Sequence, residues 1–384
     1  MRIIHANIHT MAGQVIPDGY LETAGGKIAA LGEMADCPAL CGDEVDAKGS
    51  IALPGLIDAH CHIGMWEDGL GFEGDDGNED CDPCTPQLQG LDAVNPADRA
   101  FSEALDWGVT TVVTGPGSAN PIAGQMCAMK TDGRRVDNML LRAPLAIKMA
   151  FGENPKTSYH EKGNGPVTRM AIAAMVREQL YKAKRYMADM QRAAEDEDAD
   201  EPEYDAKCEA LLPLLRGQIP AHIHAHRADD IFTGIRIAKE FGLRYVIVHG
   251  TEGHLVAQEL AAEKAMVITG PLIGARTKPE LAQADIAGPG ILQANGVQVA
   301  ICTDHPEVPC GYLMMSARLA FNAGMDKQAA LEAVTAQAAR ICGIERRVGT
   351  LAAGKDADIL LYRNDPMLVH EKPWLVLLDG KRVR

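Results

Sequence analysis

The sequence predicts an α/β protein: a (β/α)8 TIM barrel carrying a small β-sandwich built from both ends of the chain. Two observations lead there. Apolar, β-branched runs alternate with helical stretches through most of the 384 residues, the pattern of a parallel sheet with crossover helices. Short runs of alternating polarity occupy both termini, and neither end is long enough to bury a core alone.

Residues 1–52 supply the first part of the sandwich. Arg2–His5, Leu21–Thr23 and Lys27–Leu31 alternate as short strands separated by turn residues. Residues 53–347 supply the barrel. Its eight strand candidates are Ile51–Ala59, which overlaps the end of the sandwich segment, then Val109–Thr114, Ile122–Met129, Leu145–Ala150, Ile219–Ala225, Arg244–His249, Ala265–Thr269 and Val297–Cys302. Helices are expected between them, notably at Pro96–Trp107, Val167–Arg192, Ile231–Glu240 and Thr251–Lys264. Residues 348–384 complete the sandwich with Ile359–Tyr362, Leu375–Leu378 and the Asp379-Gly380 turn. Two insertions interrupt this plan. Trp66 to Asn95 is acidic and Gly-rich and reads as a lid; Glu195 to Glu201 is a charge run and reads as a solvated turn.

The net charge of -16 argues against nucleic acid or an anionic membrane as partner, because both need clustered Lys and Arg. No apolar stretch of membrane-spanning length and no charged-then-apolar leader is found, so a cytoplasmic protein with a small-molecule substrate is expected. Its 10 cysteines are scattered, several within apolar runs, which suits reduced thiols. The lone CxxC at Cys81 and Cys84 has no second pair to make a zinc knuckle.

The chemistry-bearing residues fall at predicted strand ends. His60 and His62 close the first barrel strand and, two apart, face the same way. His222, His224 and His226 repeat that period on the fifth, His249 ends the sixth and Asp304 follows the eighth. Neutral imidazoles converging at the C-terminal face of a barrel are good ligands for zinc or a related ion. Lys148 lies in the apolar run Leu145–Ala150 and is costly to bury unless paired or neutralised.

Five motifs make the chain resemble the amidohydrolase superfamily, in the branch of imidazolonepropionase and the prolidase-like dipeptidases. They are Leu53-Pro54-Gly55-Leu56-Ile57-Asp58-Ala59-His60-Cys61-His62, the Pro116-Gly117-Ser118-Ala119-Asn120 loop, His249-Gly250, Thr303-Asp304, and the run from Gly349 to Asp358. The resemblance spans essentially the whole chain and implies two divalent ions, most simply zinc. It implies His60, His62 and Asp304 as ligands of one, His224 and His249 as ligands of the second, and a carbamylated Lys148 as the bridge. Glu153 is the rival bridge. It further implies self-association, and hydrolysis of an amide, cyclic amide or dipeptide by a metal-bound hydroxide, with Asp304 carrying the proton.

One departure narrows the reaction. His224-Ala225-His226-Arg227-Ala228-Asp229 lacks the glutamate that superfamily deaminases and imidazolonepropionase place after the fifth-strand histidine, which counts against base deamination. Candidate substrate contacts are His226, Arg227, Gln125 and His254, with Arg276 as a further carboxylate clamp. A mononuclear ring hydrolase and a catalytically inactive assembly protein remain as alternatives.

Overall fold

A computed structural model describes residues 1–39 and 42–384. Strands from both termini form one eight-stranded sheet. Leu375–Leu378 and Ile359–Tyr362 join it through Ile51–Pro54, which pairs antiparallel with Ile359–Tyr362 and parallel with Arg2–His9. Val15–Ala24 and Lys27–Glu33 extend it on the far side. Ile3, Ile8, Leu21, Ile359, Leu361, Leu375 and Leu377 alternate into its buried face and form a core of their own.

The run expected as one strand over Ile51–Ala59 serves two sheets. Ile51–Pro54 belongs to the terminal sheet and Leu56–Cys61 opens the barrel. Pro54 cannot donate to a ladder, and Gly55 sits where a Cβ would lie 2.0 Å from Thr110 Oγ1. The chain therefore changes sheet at the one residue without a side chain, its N–H bonded to Asp358 O at 3.0 Å. Gly55→Ala is expected to destabilise the protein by about 1–3 kcal/mol through this overlap, read as a lower urea midpoint; an unchanged midpoint would show that the junction relaxes freely.

Eight strands line up in sequence order in the second sheet: Leu56–Cys61, Val109–Thr114, Ile122–Lys130, Leu140–Ala150, Ala221–Ala225, Tyr245–His249, Met266–Thr269 and Gln298–Ile301. All but the third agree with a parallel barrel. Ile122–Lys130 runs antiparallel to both its neighbours. The link from Thr114 to Ile122 is too short for a parallel crossover, which needs a dozen or more residues, so the strand returns as a hairpin. The eighth strand also leans back on the first: Asp304 N bonds to His60 O at 3.2 Å and His62 N to His305 O at 2.8 Å.

Long helices cover the barrel where the sequence places them. Arg169–Glu195 starts on a Thr168 cap and ends at the acidic run, which forms an exposed turn. Ala228–Phe241 ends on left-handed Gly242. The segment read as a lid packs along the third strand through bridges Cys84↔Ile122 and Gln89↔Gln125. Its acidic side chains are mostly exposed, while Trp66 and Asn78 face the site cavity. No helix among the described residues is long and apolar enough to cross a membrane. The nine described cysteines are free thiols.

Candidate metal centre

The C-terminal ends of the parallel strands bring seven side chains from the sequence analysis into one place. His60, His62, Lys148, His224, His226 and His249 are all buried, and Asp304 is only slightly exposed. Each is delivered by its strand: His60 by the first, Lys148 by the fourth, His224 by the fifth and His249 by the sixth. Two strand ends are bent to do this. His249 and Asp304 have φ of 70° and 57°, the left-handed region that non-glycine residues seldom occupy. Such strain persists only where surrounding contacts enforce it. Here Asp58, fully buried, accepts from Thr303 N at 3.1 Å and from the Thr303 hydroxyl, pinning the turn that presents Asp304.

Hydrogen bonds fix which ring nitrogens carry protons. His62 Nδ1 lies 2.7 Å from Gly115 O and His249 Nδ1 lies 2.7 Å from Gly270 O. A carbonyl only accepts, so both Nδ1 atoms donate, and in the neutral rings both Nε2 atoms present lone pairs to the centre. His60 Nε2 meets Lys148 Nζ at 2.8 Å and His224 Nε2 meets Asn154 Nδ2 at 3.3 Å. Those partners can only donate, so these Nε2 atoms accept as well. Four imidazole lone pairs thus converge on one space.

Asp304 adds a fifth acceptor. Its Oδ1 lies 3.3 Å from His62 Nε2 and 3.6 Å from His60 Nε2, with no hydrogen-bond donor upon it. Acceptors facing acceptors repel unless a cation stands between them. Two ligands of a tetrahedral zinc, each about 2.0–2.1 Å from the ion, lie about 3.3 Å apart, which is the spacing found. His60, His249 and Asp304 offer ligand atoms within 4.8 Å of one another, as do His224, His226 and His249. The donor set therefore fits a divalent cation.

Electrostatics agree. Burial holds His222 down to about 3 and His249 to about 4, and keeps His60, His224 and His226 well below the ordinary imidazole value. Burial likewise lowers Lys148 to about 8, against the pull of Asp304. Burial pushes the Asp304 carboxyl up, but His249, His62 and Lys148 outweigh it and hold it below the carboxylate range.

The remaining candidates separate. His226 lines the site, its ring stacked on His249 with centroids 4.7 Å apart. His222 lies a layer deeper beside Lys148, both ring nitrogens unpartnered. Glu153 turns away from the histidines and accepts from Glu280 N at 3.3 Å. Arg227 pairs with Asp229 on the exposed surface, Gln125 donates to Pro86 O, and His254 Nδ1 bonds to Thr251 O. None of these last three lines the site cavity. Arg276 does, with Asn154 and Lys278, two residues that the motifs did not single out.

Comparison with known proteins places the chain. A model of the amidohydrolase family matches residues 215–383. The crystal structure of an amidohydrolase from Thermotoga maritima MSB8 superposes with a TM-score of 0.95 at 38% identity, covering 100% of this chain and 99% of that one. The chain belongs to the amidohydrolase family. This amidohydrolase is also 30% identical to amidohydrolase tasK of Hapsidospora irregularis over 87% of its length, and spans 36% of that protein. It is 23% identical to imidazolonepropionase of Sphingopyxis alaskensis, covering 94% of this chain and 91% of that one. Family membership makes it a hydrolase, the class its motifs led us to expect.

Proposed function

We propose that this amidohydrolase cleaves an amide, cyclic amide or dipeptide C–N bond with two divalent cations, zinc the first candidate. The observation that carries this reading is the convergence of acceptors at 3.3–3.6 Å around Asp304 with no donor between them. His60, His62 and Asp304 would hold one ion, His224 and His249 the second. Lys148 as its carbamate would bridge them. When bound, such ions lower the pKa of water to about 7 and polarise a carbonyl.

The chain's own residues then have defined tasks. Asp304, kept ionised by its neighbours and aimed by the Asp58–Thr303 clasp, takes the proton of the attacking water at its carboxylate and passes it to the leaving nitrogen. Gly115 O and Gly270 O keep the His62 and His249 rings in the tautomer the site needs. Lys148, with its amine lowered to about 8, is partly neutral at slightly alkaline pH, as carbamate formation requires. The free thiols support a cytoplasmic setting.

Metal content per chain tests this directly. Protein expressed with zinc and bicarbonate is expected to hold close to two ions, and Lys148→Ala close to one with amide hydrolysis about 10- to 100-fold lower. A wild-type value of one, or a Lys148→Ala protein that still holds two, would defeat the bridged centre. Essentially none after metal supply would favour an inactive assembly protein.

A further inference from the structure

We propose that Lys278 is the specificity-determining residue of this enzyme, binding the carboxylate of the amino acid on the leaving-nitrogen side of the scissile bond. The proposal rests on the hydrolase reading above and narrows its substrates to N-acyl amino acids and dipeptides with a free C-terminal carboxylate.

The site opens into a cavity of about 1010 Å³. Its lining contains two cations, Arg276 and Lys278, against the carboxylates of Asp285, Asp304 and Glu307. The two cations differ in depth. Arg276 is exposed and donates to Ala284 O at 2.7 Å. Lys278 is half-buried and lies one side chain from the histidines, linked to His224 through Asn154.

Lys278 is held in place yet incompletely used. Its Nζ donates to Asn154 Oδ1 at 2.7 Å and reaches Glu280 Oε1 at 3.4 Å. An ammonium has three N–H groups, and no third partner is found for it among the described residues. Asn154 is itself fixed, donating from Nδ2 to Ser118 Oγ at 2.8 Å and approaching His224 Nε2 at 3.3 Å. One amide side chain therefore separates the ammonium from the metal-ligand histidines.

That spacing suits a single amino acid. Across C–N–Cα–C, a carboxylate carbon sits about 4 Å from the scissile carbonyl carbon, and a charge-assisted N–H···O contact adds about 2.8 Å. A carbonyl over the histidine centre thus leaves the next carboxylate within reach of Lys278, whereas the exposed Arg276 is tied to Ala284 O. Trp66, Leu272, Ile273, Ile286 and Leu292 supply apolar wall for the flanking side chains. The acidic insertion adds Trp66 and Asn78 to this lining and none of its carboxylates, so its charge does not select basic substrates.

The test pairs apolar N-acetyl amino acids and dipeptides with their C-terminal carboxamides, using wild type, Lys278→Met, Lys278→Arg and Arg276→Met. Wild type is expected to favour the acids, and Lys278→Met to lose about 10- to 100-fold in kcat/KM on them while changing less than about 3-fold on carboxamides. Lys278→Arg should recover part of the loss, and Arg276→Met should leave the preference intact. Calorimetry on metal-free protein gives a readout independent of turnover: N-acetyl amino acids bind wild type at least about 10-fold more tightly than Lys278→Met. Equal losses on both series, or wild-type preference for carboxamides, would overturn the proposal while leaving the hydrolase reading intact. Carboxylate-dependent binding with no turnover of any pair by metal-loaded enzyme would do the reverse.

Discussion

Asp304→Asn will lower kcat by about 10³- to 10⁴-fold on any amide the wild-type enzyme hydrolyses, the upper range for loss of a positioned acid–base group. Asparagine is nearly isosteric and, like aspartate, tolerates the left-handed φ of 57° found here. The backbone turn and its Thr303–Asp58 clasp are therefore expected to survive. What disappears is a group that accepts a proton at one step and returns it at the next. Metal analysis beside the kinetics separates the two tasks assigned to this residue. A fall in rate with metal retained isolates proton transfer, and a fall in both assigns the loss to ligation. Activity within about 10-fold of wild type with metal intact would remove Asp304 from the mechanism.

The metal-free protein will lose stability steeply as pH falls below about 6.5. His60, His222, His224, His226 and His249 are all held below their ordinary value, chiefly by burial. In the unfolded chain each takes up a proton near 6.5; in the folded one none does until pH falls much further, to about 4 for His249 and about 3 for His222. Their unfolded state binds more protons throughout that window, so stability is full above 6.5 and declines as pH falls. Each costs about 1.4 kcal/mol per pH unit. Asp58 acts oppositely: burial raises it to about 7, so between 7 and its ordinary value the folded state binds the extra proton. Four uncompensated histidines give roughly 5 kcal/mol per pH unit, against a typical total of about 5–15 kcal/mol. Urea titrations of chelator-treated protein should show the midpoint collapsing between pH 6 and 5, and His222→Leu should flatten the slope. A midpoint constant down to pH 5 would mean that the histidines are not buried uncharged.

Much of the site was legible because strand geometry is periodic. Residues two apart share a face, so His60 with His62, and His224 with His226, could be paired by counting, and Lys148 stood out as a cation inside an apolar run. The cavity wall was not legible. Lys278 lies on a loop and Asn154 in the first turn of the helix Glu153–His160, 124 residues apart, and they meet through a hydrogen bond that no local pattern encodes. Arg227, Gln125 and His254 had the right chemistry at plausible loop ends, but their side chains are tied to Asp229, Pro86 and Thr251 and none of the three lines the cavity.

The sequence by itself determined the alternation of strands and helices, the pairing of the termini and the histidines of the centre, because these follow from polarity patterns and motif spacing. The third strand was expected to run parallel with the rest, and only the structure shows it reversed after the short link between Thr114 and Ile122, because apolar content alone carries no direction. Tertiary structure alone decided the rest. It split Ile51–Ala59 between two sheets at Gly55, since only packing against Thr110 forbids a side chain there. It turned Glu153 away from the histidines and left Lys148 against His60. It also set which imidazole nitrogens are free, because tautomers depend on carbonyls at Gly115 and Gly270 that folding brings from other strand ends.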